Sequence, residues 1–474
     1  MTSHRDPHVI SRRRFLSATA AGLSSLALAA CGAGTSEAPA GATTGAEAGA
    51  AVPEASPTEA PTPTPVVLGT GNRKVTFWHG LGGPDGATLV KMLQQYSQEH
   101  PDVTISSETY AWDLLYQKLP TATAAGTPPH LAIFHSWAMQ QFAAQGLLQD
   151  ADTLFFGPGL IAKDDFNQGL LQTISADGKV LGIPFDNHGF LNFINTKIIT
   201  DAGLDPKNLP KNGTEFIEWA QKIVVDESGK HPNEEGFAAD RVKIWATHTG
   251  WQRYSVVSTI WQFGGGIISD DGKTSLLNDP KTIAAVQYWH DLIFKHHVVP
   301  APVAGLPFEW DMFKDSLALM WNGGWQLNFF NDNPEAAEVM QPGYLNSFAP
   351  DGSQATRFDA HTMVVPMGVE GDDLEAAKDL IVWLSNNGAT WATSGQVPAR
   401  LSVQQQPDVQ NIPVVKTAAA EFNEIGRNGP SHPAINEIVV AYETAISSAL
   451  SGLMPADQAM NEAHTAVQSI LDRG

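Results

Sequence analysis

The chain has 474 residues, 43% of them hydrophobic, with 28 Lys and Arg against 50 Asp and Glu and a formal charge of −22. That length suffices for two or three ordinary domains, and with no basic stripe to displace counterions, nucleic acid is excluded as the partner. Cys31 is the only cysteine, which excludes disulfides, Cys-based metal sites and thiol catalysis elsewhere in the chain.

Ser11-Arg12-Arg13-Arg14-Phe15-Leu16 reads as a twin-arginine export signature. The apolar run from Ala18 to Ala30 is rich in Ala, Gly and Ser, too short and too weakly apolar to span about 30 Å of hydrocarbon. It ends in Leu28-Ala29-Ala30-Cys31, which resembles the bacterial lipobox. Residues 1–30 are therefore expected to be a twin-arginine lipoprotein signal peptide, with Cys31 as the lipidated residue; the plainer reading is a disordered tail. Cleavage there removes four Arg and one Asp and leaves −25, a charge that suits solubility at the cell surface. Residues 31–72 form a linker of Ala, Thr, Pro and Gly that cannot bury enough apolar surface to order itself, a tether reaching about 35 Å.

The folded body is expected from Arg73 onward. Val75–His79 reads as a strand, Gly80–Gly86 as a loop, and Leu89, Met92, Leu93 and Tyr96 recur at helical spacing until His100-Pro101 stops the helix. Val103–Ile105 is a second strand, Leu114, Leu115 and Leu119 mark a helix, and Leu131–Phe134 is a third strand. Later strands are expected at Val180–Phe185, Phe190–Ile194, Leu317–Met320 and Met363–Pro366. Further helices are expected at Glu215–Ile223, Ile283–Phe294, Glu375–Leu384, Ala441–Leu450 and Ala456–Leu471. Strands alternating with helices at this pace indicate α/β architecture with largely parallel sheets.

From Arg73 to the C-terminus the chain resembles the family 1 extracellular solute-binding proteins, the carbohydrate-type receptors of bacterial ABC importers. The likeness rests on "VTFWHGLGGPDG", "AAGTPPHLAIF", "FAAQGLLQDAD", "DGKVLGIPFDNHGFLNFINTKIITDAGLD", "FGGGIISDDGK", "FKDSLALMWNGGW", "AAKDLIVWLSNN" and "GQVPARLSV", in the family's order. His130 stands where the family usually has Asp, and Ile194 where an aromatic usually precedes the Asn. The resemblance implies a type II periplasmic-binding-protein-like fold of two lobes, each a mostly parallel sheet flanked by helices, with a multi-crossing hinge. Lobe I is expected to hold residues 73–185 and 361–400, and lobe II residues 186–360 and 401–474. The chain is expected to cross near Phe185–His188, Asp359–His361 and Arg400.

A pyranose offers an apolar C–H face that fits an indole and a rim of hydroxyls that suits Asp, Asn, Gln, Arg and His. Such pairs recur here. His79 ends the first strand, Ser136 and Trp137 follow the third, and Asp186, Asn187 and His188 sit at the first crossing. Trp251 with Tyr254, and Gly324 with Trp325, lie in the second lobe. The resemblance places sugar-stacking aromatics at Trp251 and Trp325 and polar contacts at Asp186 and His188. Gly83 and Asp85 open a helix whose free N–H groups suit a hydroxyl. Trp112, Asp359, His361 and Arg400 complete the candidate set. Each has a plainer reading: Trp78 falls where strand alternation buries it, Asp186 can bond backbone at the hinge, Arg400 can pin the last crossing, and the Gly83 loop can be a simple turn. His290, His296 and His297 do not share a helix face, so no metal set is read, and no cofactor or catalytic residue is assigned.

The expected function is a lipid-anchored receptor, most simply a monomer, that captures a sugar or oligosaccharide between its lobes and delivers it to an ABC permease. The permease and ATPase would be separate chains. The alternatives are a receptor for another small solute, such as a polyol or glycerophosphodiester, or a secreted carbohydrate-active enzyme.

Overall fold

The computed structural model describes residues 64–157, 160–303 and 306–473. The twin-arginine signature, the lipobox and Cys31 lie outside them, as does most of the linker. The end of the linker does not. Val66–Leu68, directly after Pro65, is a strand antiparallel to Val103–Thr109, so the folded body starts before Arg73. Its β-favouring Val-Val-Leu composition distinguishes it from the Ala, Gly and Thr that precede it.

One sheet takes the order Val66–Leu68, Val103–Thr109, Arg73–His79, Leu131–His135, His361–Val364, Ile183–Pro184. The three strands at its centre are parallel, each joined to the next by a helix, first Pro84–Glu99 and then Trp112–Ala124. Parallel neighbours need such crossovers. The stripe of Leu89, Met92, Leu93 and Tyr96 that marks the first helix is fully buried beneath it, and the helix ends at Glu99 as the His100-Pro101 pair requires.

The second sheet is built around one ten-residue strand, Asp186–Asn195, buried at every position. Leu319–Gly323, Met340–Gly343, Thr356–Asp359 and Val397–Pro398 all pair with it antiparallel, and Gly426–Asn428 joins Thr356–Asp359 in parallel. The expectation of mostly parallel sheets is thus corrected: it describes the centre of the first sheet and fails in the second. The reason is topological. Asp186–Asn195 leads away from the first sheet, whereas Thr356–Asp359 leads back into it, so the two must run in opposite directions.

The chain passes between the sheets at Phe185, whose N–H donates to the His361 carbonyl at 2.7 Å, and returns at Ala360. Val397–Pro398 then lies across Asp186 and Asn187. All these residues belong to one compact unit, Thr62–Gly474. The described helices include none long and apolar enough to cross a membrane.

Candidate ligand cleft

A pocket of about 160 Å³, open to solvent, lies where the two sheets meet. Gly80, Leu81, Gly82, Gly83, Asp85, Trp112, His135 and His361 line it from the side of the first sheet, His188, Trp251, Tyr254 and Trp325 from the side of the second, and Gln396 from beside Val397–Pro398.

Two glycines seat the indoles. A Cβ on Gly80 would stand 2.2 Å from the Trp112 ring, and one on Gly323 would stand 2.0 Å from the Trp325 ring. The close approach lets Trp112 lie parallel to the His361 imidazole, with centroids 5.5 Å apart. Trp325 faces Trp251 at 5.8 Å with the planes 31° apart. Trp251 caps the helix Gln252–Gln262 and is 56% exposed, an unusual fraction for an indole and one that leaves a face free for a ligand. Tyr254, one turn further on, stacks on Phe190 beneath it.

The polar floor is organised by Asp186, which is fully buried at the start of the long strand. Its Oδ1 accepts from His188 Nδ1 at 3.0 Å and from the His361 backbone N–H at 3.1 Å. Its Oδ2 accepts from His361 Nδ1 and from Trp391 Nε1, each at 2.8 Å. Burial opposes ionisation, but the His361 charge and these donors outweigh it and hold the carboxyl well below the usual range. For His361, burial pulls the other way and the Asp186 carboxylate wins, raising its pKa. Burial, together with the charge on His361, pushes His135 well down and lowers His188 as well.

Gly83, Asp85, Trp112, His188, Trp251, Tyr254, Trp325 and His361 therefore line the pocket, as candidates read from sequence. Asp85 Oδ2 accepts from Gln396 Nε2 at 3.2 Å across the wall. The other candidates lie behind it. His79 Nε2 is bonded to Ser107 Oγ at 2.9 Å, and Ser136 Oγ accepts from the Ala360 N–H at 3.0 Å, bracing the return crossing. Trp137 is core, 4% exposed, under the Arg253 guanidinium. Asp186 supports the two histidines instead of facing the pocket, and Asn187 is buried in the strand pairing with Val397. Gly324 packs so tightly on Gly395 that a Cβ would lie 2.0 Å from its carbonyl oxygen. Asp359 is paired with Arg357 at 3.0 Å, both fully buried. Arg400 bonds Asp165 at 2.7 Å and Asn386 at 2.6 Å, the structural alternative.

Gly82 and His135, neighbours of the candidates Gly83 and Ser136, line the pocket too, as do Gly80, Leu81 and Gln396, which the sequence did not single out. His135 had a signal: it ends the strand Leu131–His135 two residues before Trp137, and strand register sets it opposite His361. Gln396 had none.

A family model described as bacterial extracellular solute-binding protein matches residues 81–391. The chain belongs to that family. Three binding proteins of Brucella abortus and Brucella suis are 26% identical over 212 residues, 44% of this chain and 47% of theirs, so the match spans about half of their length. A maltotriose-binding protein of Pyrococcus abyssi is 23% identical over 352 residues, 73% of this chain and 70% of that one. The structure of an ABC transporter solute-binding protein of Thermotoga lettingae, bound to α-D-tagatose, superposes with a TM-score of 0.72 at 20% identity. That likeness covers 84% of this chain and 100% of the other, and it shows the two-lobed α/β fold shared by this solute-binding protein.

Proposed function

We propose that this solute-binding protein is the sugar receptor of an ABC importer, exported by the twin-arginine route and held at the membrane through a lipid on Cys31. Its permease and ATPase are separate chains, and it works as a monomer. The observation that carries the reading is the pocket between the sheets, lined by Trp112, Trp251 and Trp325 beside Asp85, His188, His361 and Gln396. Apolar plates flanked by hydrogen-bonding groups match the two surfaces of a pyranose. The likeness to the maltotriose-binding protein of Pyrococcus abyssi supports the same class.

The two walls come from the two sheets, so a ligand touching both favours the closed arrangement, and capture is a population shift. In this reading residues 73–185 and 361–400 move as one lobe against 186–360 and 401–474. It also makes the protein a binder and not an enzyme, a point that the same assay addresses.

The test is calorimetric titration with mono- and oligosaccharides, with reaction products followed in parallel. Trp251→Ala, exposed and so harmless to the fold, and Trp325→Ala should each weaken sugar binding by about 10- to 100-fold, the value of one buried aromatic face. Equal affinity in both variants would remove the stacking site. Release of cleaved sugar would replace the receptor with an enzyme.

A further inference from the structure

The histidines at the floor of the cleft are arranged for more than hydrogen bonding to hydroxyls. One ring nitrogen from each of His135, His188 and His361 lies within 4.8 Å of the other two. In all three rings Nδ1 is already engaged. Asp186 accepts from His188 Nδ1 at 3.0 Å and from His361 Nδ1 at 2.8 Å, and the Tyr116 hydroxyl bonds His135 Nδ1. With Asp186 ionised, both of its partners carry a proton at Nδ1, so Nε2 is the nitrogen each offers to a cation, and His361 releases its second proton when one binds. His188 is only 4% exposed and its Nε2 is buried with no hydrogen-bond partner among the described residues. An orphaned buried acceptor costs free energy unless something occupies it. No hydrogen bond within the described residues engages the Nε2 of His135 or His361 either.

A carboxylate or hydroxyl bonded to one nitrogen of an imidazole orients the ring and leaves the other nitrogen for a metal, which is how proteins hold transition metals. We propose that His135, His188 and His361 form a three-histidine site for a divalent zinc-type cation at the floor of the cleft, with its open position turned toward the ligand space. Three neutral nitrogens and no thiolate suit zinc, cobalt or nickel over calcium or magnesium. Tetrahedral zinc at 2.0–2.1 Å from each nitrogen sets the nitrogens about 3.3 Å apart, so the rings close by up to roughly 1.5 Å on binding. The pocket opens to solvent, so the fourth position can take water or a hydroxyl of the solute. The three residues are far apart in sequence and come together only because the strands Leu131–His135 and His361–Val364 are register partners and the crossing into Asp186–Asn195 lies beside them. The inference goes beyond the receptor reading and does not depend on it.

The test uses the full-length, untagged chain with Cys31→Ser to remove its one thiol, stripped with a chelator. Cobalt(II) titration should give the visible spectrum of a four-coordinate, nitrogen-rich site, saturating at one equivalent, and zinc should displace it. His188→Gln and His135→Gln should each lower zinc affinity by about 100-fold or more, and Asp186→Asn by about 10- to 100-fold through loss of orientation. His135 is only half-buried, so its variant keeps the test valid if the deeper substitutions fail to fold, as judged by thermal melting without metal. Substoichiometric uptake by the parent chain, or parental affinity in His135→Gln, overturns the site. Sugar titration in chelator runs alongside. Sugar binding without cation uptake removes the metal site alone; cation uptake with no sugar bound removes the sugar-receptor reading alone.

Discussion

Glu309 is a residue whose surroundings constrain behaviour with pH. It is 3% exposed at the start of the short helix Glu309–Phe313, and its Oε1 accepts from Asn322 Nδ2 at 2.7 Å. Burial pushes its carboxyl up to about 7. His248, nearby, is pushed down to about 4 by burial and accepts the Gly250 N–H at Nδ1, so it stays neutral and lends no compensating charge. A carboxyl raised above its unfolded value of about 4.5 contributes stability that is complete below that pH and is lost as pH rises through 7. Glu309→Gln keeps the shape and removes the ionisation. It should match the parent near pH 4.5 and exceed it by about 3 kcal/mol at pH 8 in denaturant titrations. A difference independent of pH would show that Glu309 is neutralised some other way. The loops that Glu309 touches carry Trp251 and Trp325, so its protonation state bears on the site as well as on the fold.

Among the elements, Asp186–Asn195 is the one on which the others depend. It begins at the carboxylate that holds two cleft histidines, pairs with four other strands and exposes no residue. Its amides can open only when those neighbours separate, so they should exchange at the rate of global unfolding. Val66–Leu68, an edge strand of three residues with Val66 and Val67 exposed, has one partner and should exchange orders of magnitude faster. Hydrogen exchange resolved by peptide checks the ranking, and fast exchange in Asp186–Asn195 would contradict its central role. The element also explains a misreading. Its run Phe190–Ile194 is evident as a strand, but Asp186, Asn187 and His188 look like loop residues because polar side chains are seldom buried in a strand. Asp186 is tolerated there by partners remote in sequence, His361 and Trp391, and it in turn bonds His188.

For the whole molecule, the joints between the sheets are short, at Phe185 and Ala360. Rigid-body closure about those joints is the motion such a connection allows. A saturating sugar should therefore reduce the radius of gyration in solution scattering while leaving far-ultraviolet circular dichroism unchanged. A change in secondary structure without compaction would point instead to local ordering. Ser136 and Asp359 flank the return joint, the first bonded to the Ala360 N–H and the second to Arg357. Their place in the fold is to define the hinge, and that is why they do not reach the pocket.

The α/β class, the main helices and the family resemblance were legible from the chain alone, because hydrophobic spacing and turn residues act over a few positions. So were Trp251 and Trp325, which follow Gly or polar residues and not apolar runs, although Trp137 shares that sign and is core. Tertiary structure alone decided the strand directions of the second sheet, which follow from where each strand must lead. It also decided which polar residues face the cleft. Asp186 was read as a contact and is the support for His188 and His361, while Gln396 was passed over. Those outcomes depend on hydrogen bonds between residues as distant in sequence as Asp85 and Gln396, and no local pattern records a partner that far away.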